Sequence, residues 1–238
     1  MTTPRTDTVA IDDGEMDLHL WTPDSGAGPG LVLIQEIFGV GPYIRDVAER
    51  LAAAGYVVGA PDVFWRFAAG WESDHDQAGL EASMGQVANL DPAKAVADCV
   101  AALDHLSGLD EVSRAGVIGF CLGGTLAFGV AQAADPAVCV SYYGSGVPDM
   151  IDGLDQVSCP TLFHFGNEDP YIPNDGVERV ADAIGDRSDV VLNIEQAGHA
   201  FDNHHAEQFH HEAAAAAAWA KTMAFLAEHL PVGVPASG

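Results

Sequence analysis

The residue around which reactive chemistry can be assembled is Cys121, in the run Val117-Ile118-Gly119-Phe120-Cys121-Leu122-Gly123-Gly124-Thr125. An apolar β-branched stretch leads into Gly-x-Cys-x-Gly, and an Ala-rich helical pattern from Leu126 to Ala134 follows at once. Strand, sharp turn and helix in that order make a nucleophile elbow, with a thiol where a hydroxyl is commoner. The elbow is strained, so its flanking residues need to lack side chains for the turn to close. The helix that follows points its positive end at the sulfur, which favours a thiolate and, later, an oxyanion. A glycine-flanked buried cysteine is the bland alternative, and the strand before and helix after argue against it.

A cysteine nucleophile needs a base, and the base needs an orienting group. In α/β-hydrolases these follow in the order nucleophile, acid, base, each just past the carboxyl end of a strand. Gly166-Asn167-Glu168-Asp169-Pro170 and Ala197-Gly198-His199-Ala200-Phe201 fit that order. Asp169 is the favoured acid by its position after the strand, with Glu168 as the alternative; a turn residue before Pro170 is its structural reading. His199 is the favoured base among five histidines between 199 and 211. His204-His205 and His210-His211 could suggest a metal cluster. No cysteine or carboxylate spacing supports one, and adjacent histidines on a helix face different ways, so a solvated face and no metal are expected.

Gln35-Glu36-Ile37-Phe38-Gly39 follows the first buried strand, where this architecture supplies one oxyanion-hole donor. The backbone N–H groups of Ile37 and Leu122 would form the pair. Glu36 is the unusual member, because an acid at the end of a buried strand needs a partner. An arginine would make it structural. A contact with the Cys121 thiol would make it functional, since a carboxylate there disfavours the thiolate until substrate moves it away.

The elements that must position these groups alternate. Residues 7–11 and 15–21 read as a hairpin about Asp12-Asp13-Gly14, and Pro23 to Gly30 as a loop. Leu31–Gln35, Tyr56–Ala60, 137–144, 160–166 and 190–194 read with the elbow strand as short buried strands. Helical patterns occupy 43–54, 93–106 after Pro92, 174–184 and 206–229, the last carrying the Ala213–Ala218 run. Pro231 to Gly238 reads as a frayed tail. The irregular stretch 62–91 holds Phe64, Trp65, Arg66, Phe67 and Trp71 and then a polar patch from Ser73 to Gln77; a connection this long is often functional. Strands alternating with helices imply an α/β fold, a mostly parallel sheet covered on both faces, in one domain over 1–238 without a large cap.

Nine basic against 35 acidic residues give a formal charge of −26. Such a field repels nucleic acid and anionic membranes, and it suits a high-salt cytoplasm as well as plain solubility. The four cysteines share no metal-type spacing and read as free thiols of a reducing compartment. Met1 to Ala10 holds no apolar signal region and no window reaches 18 uninterrupted apolar residues, so a soluble cytoplasmic protein is expected. It would act as a monomer or small homo-oligomer on a small molecule.

Together, Gln35-Glu36-Ile37-Phe38-Gly39, Gly119-Phe120-Cys121-Leu122-Gly123-Gly124, Asp169 and Gly198-His199-Ala200-Phe201 resemble the dienelactone hydrolase (carboxymethylenebutenolidase) family, over nearly the whole chain. The resemblance implies a Cys121–His199–Asp169 triad, Glu36 gating the thiol, an Ile37/Leu122 oxyanion hole and no metal or organic cofactor. In the best-known members two arginines hold the substrate carboxylate, one shortly after the catalytic histidine; here Asn203 stands in that region. Arg66, flanked by Trp65 and Phe67, is the candidate anion contact from the irregular stretch, and an ion pair with a neighbouring acid is its structural alternative. Phe38, Trp65, Phe201 and Asn203 complete the expected substrate pocket. The departure at Asn203 weakens the case for dienelactone itself and leaves lactone opening or cleavage of activated esters standing. A promiscuous carboxylesterase or thioesterase would share every catalytic residue. A non-enzymatic thiol sensor would need no Asp169 to orient His199.

Overall fold

The hairpin forms where the Asp12-Asp13-Gly14 turn places it: β1 (Arg5–Ile11) pairs antiparallel with β2 (Gly14–Trp21), Ile11 opposite Gly14. The computed structural model describes residues 4–233. Beyond the hairpin, β3 (Gly28–Ile34), β4 (Val57–Pro61), β5 (Val112–Phe120), β6 (Cys139–Tyr142), β7 (Thr161–Gly166) and β8 (Val190–Glu195) run parallel. The eight strands lie in the order β1-β2-β4-β3-β5-β6-β7-β8. β3, β4, β6 and β7 are buried almost end to end, as helices on both faces require.

The helices are α1 (Pro42–Ala53), α2 (Trp65–Ala68), α3 (Gln77–Val87), α4 (Pro92–Ser107), α5 (Leu122–Ala133), α6 (Val147–Met150), α7 (Asn174–Ile184) and α8 (Glu212–His229), with a 3-10 turn over Ile151–Gln156. Their starts follow from local chemistry. Pro42 and Pro92 sit in first turns, where the missing N–H costs nothing, and the Asp91 carboxylate accepts from the Ala93 and Lys94 N–H groups.

Three expectations shift. Gly28 to Gly30 belongs to β3 rather than to the preceding loop, because Gly28 pairs with Val112 on β5. The strand expected over 137–144 narrows to Cys139–Tyr142. The last helix begins at Glu212 rather than 206, and 201–211 forms consecutive turns that His211 closes by capping α8 through Ala214 N–H. Of the expected tail, residues 234–238 lie outside the described residues. No helix among the described residues is long and apolar enough to cross a membrane.

Candidate active site

The elbow is built by close backbone approach. Cys121 has φ 55° and ψ −115°, between the end of β5 and the start of α5, and its N–H donates to Tyr142 O at 3.0 Å. A Cβ on Gly119 would lie 2.0 Å from Gly123 O, and one on Gly123 2.2 Å from Ile34 O. Both positions need glycine for space alone. Cys121, Tyr143 (φ 37°) and Ala200 (φ 53°) are the described non-glycine residues with positive φ. Cys121 and Ala200 belong to the turns that carry the candidate nucleophile and base, and the Tyr143 ring lies 5.2 Å from that of His199. Backbone strain thus gathers at the candidate site.

The three side chains expected to act together do meet. His199 Nε2 is 3.1 Å from Cys121 Sγ, and His199 Nδ1 is 2.7 Å from Asp169 Oδ2. The other Asp169 oxygen accepts the Tyr171 N–H at 2.8 Å, which fixes the carboxylate's tilt. Asp169 and His199 are buried, whereas Glu168 is exposed and Cys121 half-buried. The Tyr171 ring stands edge-on to the imidazole, centroids 5.1 Å apart, and the Tyr143 ring is tilted against it at 5.2 Å. Burial works against a charged imidazole, but the Cys121 sulfur and the Asp169 carboxylate outweigh it and raise His199 to about 10. The imidazole therefore holds its proton more tightly than a free histidine does. Leu122 opens α5, so its N–H has no helical carbonyl to donate to. Ile37 and Phe38 lie in a tight turn closed by Gly39 N–H donating to Glu36 O. Gly39 (φ 85°) sits against Trp71 O, where a Cβ would come within 1.7 Å. The irregular stretch is thereby pressed onto this turn.

Glu36 meets neither an arginine nor the thiol. Its carboxylate, 2% exposed, accepts from Asn203 Nδ2 through both oxygens at 3.1 Å and pairs with His75 Nε2 at 2.5 Å. Asn203, expected in the substrate pocket, instead uses its amide on Glu36, and the partners of Glu36 are Asn203 and His75 rather than the thiol of the gating reading or the arginine of its structural alternative. His75 was missed, although it lies in the polar patch noted in the irregular stretch. It is placed by Asp76, which caps α3 through Gly79 N–H at 2.7 Å, by Gln208 donating to its carbonyl, and by the Phe38 ring at 4.3 Å. Also missed was the buried chain in which Tyr43 OH donates to Asp202 at 2.8 Å and meets Tyr143 OH at 3.2 Å. Only folding brings those three residues together.

Arg66 is engaged elsewhere. Its guanidinium pairs with Asp13, at 2.8 Å, and with buried Asp98, and the Trp65 indole N–H also donates to Asp98 at 3.0 Å. The recess they share with Lys94 is lined by neither Cys121 nor His199. The structural alternative for Arg66 therefore holds, and Trp65 faces the same cluster. Phe201 is fully buried against Tyr143, centroids 5.1 Å apart, and supports the site from behind.

Against known proteins, the model of the dienelactone hydrolase family matches residues 16–230. A carboxymethylenebutenolidase of Pseudomonas sp. (strain P51) is 31% identical over 233 residues, 96% of this chain and 98% of that protein. The carboxymethylenebutenolidase of Rhodococcus opacus is 32% identical over 243 residues, 97% of this chain and 90% of that one. Among solved structures, a dienelactone hydrolase-like promiscuous phosphotriesterase from metagenomic libraries superposes with a TM-score of 0.80 at 24% identity. The match covers 97% of this chain and 99% of that one, and it shows a shared fold. By sequence over most of its length, the chain belongs to the dienelactone hydrolase family and is a carboxylic ester hydrolase.

Proposed function

We propose that this enzyme opens lactones and cleaves activated esters with Cys121 as nucleophile, His199 as base and acid, and Asp169 as the group that orients His199. The carrying observation is the unbroken contact from sulfur to imidazole to carboxylate, at 3.1 and 2.7 Å. The sulfur attacks the carbonyl carbon, a C–S bond forms, and the oxyanion is met by the Leu122 and Ile37 N–H groups. Collapse breaks the ring or ester C–O bond, and His199 gives its proton to the departing oxygen. His199 then takes a proton from water, hydroxide attacks the thioester, and the acid leaves as the sulfur is released. An enol or aryl leaving group suits a thioester intermediate. A pocket in a reducing cytoplasm agrees with the free thiols of Cys99, Cys121, Cys139 and Cys159.

One observation favours uncharged esters and lactones over a carboxylate-bearing dienelactone: Asn203 and Arg66, the two expected anion contacts, are both committed to protein carboxylates. Hydrolysis of carboxymethylenebutenolide, its methyl ester and p-nitrophenyl acetate, each by wild type, Cys121→Ala and His199→Ala, tests both parts. All three activities should fall by at least about a thousandfold in either variant, because the nucleophile is missing from one and the base from the other. Full activity of Cys121→Ala would sink the mechanism. A higher kcat/KM for the free acid than for its methyl ester would sink the preference for uncharged substrates.

A further inference from the structure

The loop that carries the base continues outward into a second cluster. Asn203 is held on the inside by Glu36, and its Oδ1 accepts the His205 N–H at 2.9 Å, so His204 and His205 are set at a defined angle on the outside. Because 201–211 turns instead of forming a helix, the two adjacent imidazoles do not diverge. Their Nε2 atoms both reach Asp46 Oδ2, at 3.0 Å for His204 and 2.7 Å for His205. Asp46 stands on α1, a twelve-residue helix, and is part-exposed, while both histidines are exposed. The three ligand atoms lie within 4.8 Å of one another.

We propose that Asp46, His204 and His205 bind a borderline transition dication of the zinc class. Ligand atoms on a tetrahedral zinc lie ~3.3 Å apart, given bond lengths of about 2.0–2.1 Å. Asp46 Oδ2 stands within a few tenths of an ångström of that spacing from each imidazole nitrogen, and a shift of the exposed rings brings the two nitrogens to the same spacing. Two imidazoles and one carboxylate select zinc, nickel or copper over magnesium or calcium, which prefer all-oxygen shells. The remaining positions open to solvent. Tyr43 stands edge-on to the His204 ring at 5.9 Å, and the nearby His210 ring, 6.4 Å from that of His204, carries a buried Nδ1 without a hydrogen-bond partner. A formal charge of −26 raises the local concentration of any dication. The bound ion ties the loop bearing His199 and Asn203 to α1, and so braces the site from outside without touching substrate.

The test is calorimetric titration of the chelator-treated full chain with zinc chloride and, separately, magnesium chloride. The proteins are wild type, Asp46→Asn, the double variant His204→Ala/His205→Ala, and Cys121→Ser, which removes the one free thiol that is not buried. Wild type and Cys121→Ser should each take one equivalent of zinc with the same affinity, and magnesium at least a hundredfold more weakly. The double variant should lose that equivalent and Asp46→Asn should weaken it at least tenfold, while both keep wild-type ester hydrolysis in the absence of metal. A zinc excess of a hundredfold over the dissociation constant should raise the wild-type melting temperature by roughly 5 °C and leave the double variant unmoved. No zinc uptake by wild type, equal uptake by the double variant, or loss of uptake in Cys121→Ser would each overturn the assignment.

Discussion

Replacing Asn203 by alanine separates two roles for that residue: holding Glu36, or gripping substrate. In the structure Asn203 Nδ2 donates to both oxygens of a carboxylate that is 2% exposed, at 3.1 Å each. A hydrogen bond to a charged group contributes about 1.5–3 kcal/mol, and removing its donor leaves the acceptor buried with only His75 as partner. The expected destabilisation is therefore about 1.5–3 kcal/mol, a factor of ~10 to ~150 in the folding constant. For a chain of this size it lowers the melting temperature by ~3–12 °C. The assay is urea unfolding followed by tryptophan fluorescence on wild type, Asn203→Ala, Glu36→Gln and the double variant. With the charge removed in Glu36→Gln, the cost of Asn203→Ala should drop to about 0.5–1.5 kcal/mol, the range of a neutral hydrogen bond. The coupling between the two sites should then be about 1 kcal/mol or more. Equal costs in both backgrounds would refute the pairing. An unchanged stability together with a raised KM for the free-acid lactone would return Asn203 to the substrate pocket.

Two further outcomes follow from the same geometry. His199 is raised to about 10 against a value near 6.5 when unfolded, so the native state holds its proton more tightly. The stability this supplies is complete below about pH 6.5 and is lost as pH rises through about 10. The stability difference between wild type and His199→Gln, measured by urea unfolding from pH 6 to 10, should shrink with rising pH, and a flat difference would contradict the charged pair. Among glycines, Gly123→Ala drives a Cβ to 2.2 Å from Ile34 O and should abolish activity and cost about 3 kcal/mol or more. Gly85→Ala, on the exposed face of α3 with nothing within 4 Å, should instead stabilise by about 0.5–1 kcal/mol. Thermal melts of the pair check the contrast, and a tolerated Gly123→Ala would mean the elbow is looser than its backbone contacts imply.

Cys121, His199 and Asp169 were legible in the sequence because each is a local event. A β-branched run followed at once by glycine-spaced turn residues marks the carboxyl end of a strand, and chain order orients the rest. The helix starts at Pro42 and Pro92 and the hairpin turn at Asp12-Asp13 were legible for the same reason: backbone chemistry acts between near neighbours. The partner of Glu36 was not. That a buried carboxylate needs a donor follows from its type, but which donor depends on a 39-residue and a 167-residue separation being closed by the sheet, to His75 and to Asn203. Arg66 likewise offers the same guanidinium to a substrate anion or to Asp13 and Asp98, and only the packing of the hairpin beside α4 decides for the latter. The convergence of His204 and His205 on Asp46 depends on residues 201–211 forming consecutive turns, of which 206–211 were expected in the last helix. Residue types set which interactions each side chain can make, and the tertiary structure selects among them, because every one of these choices is between partners distant in the chain.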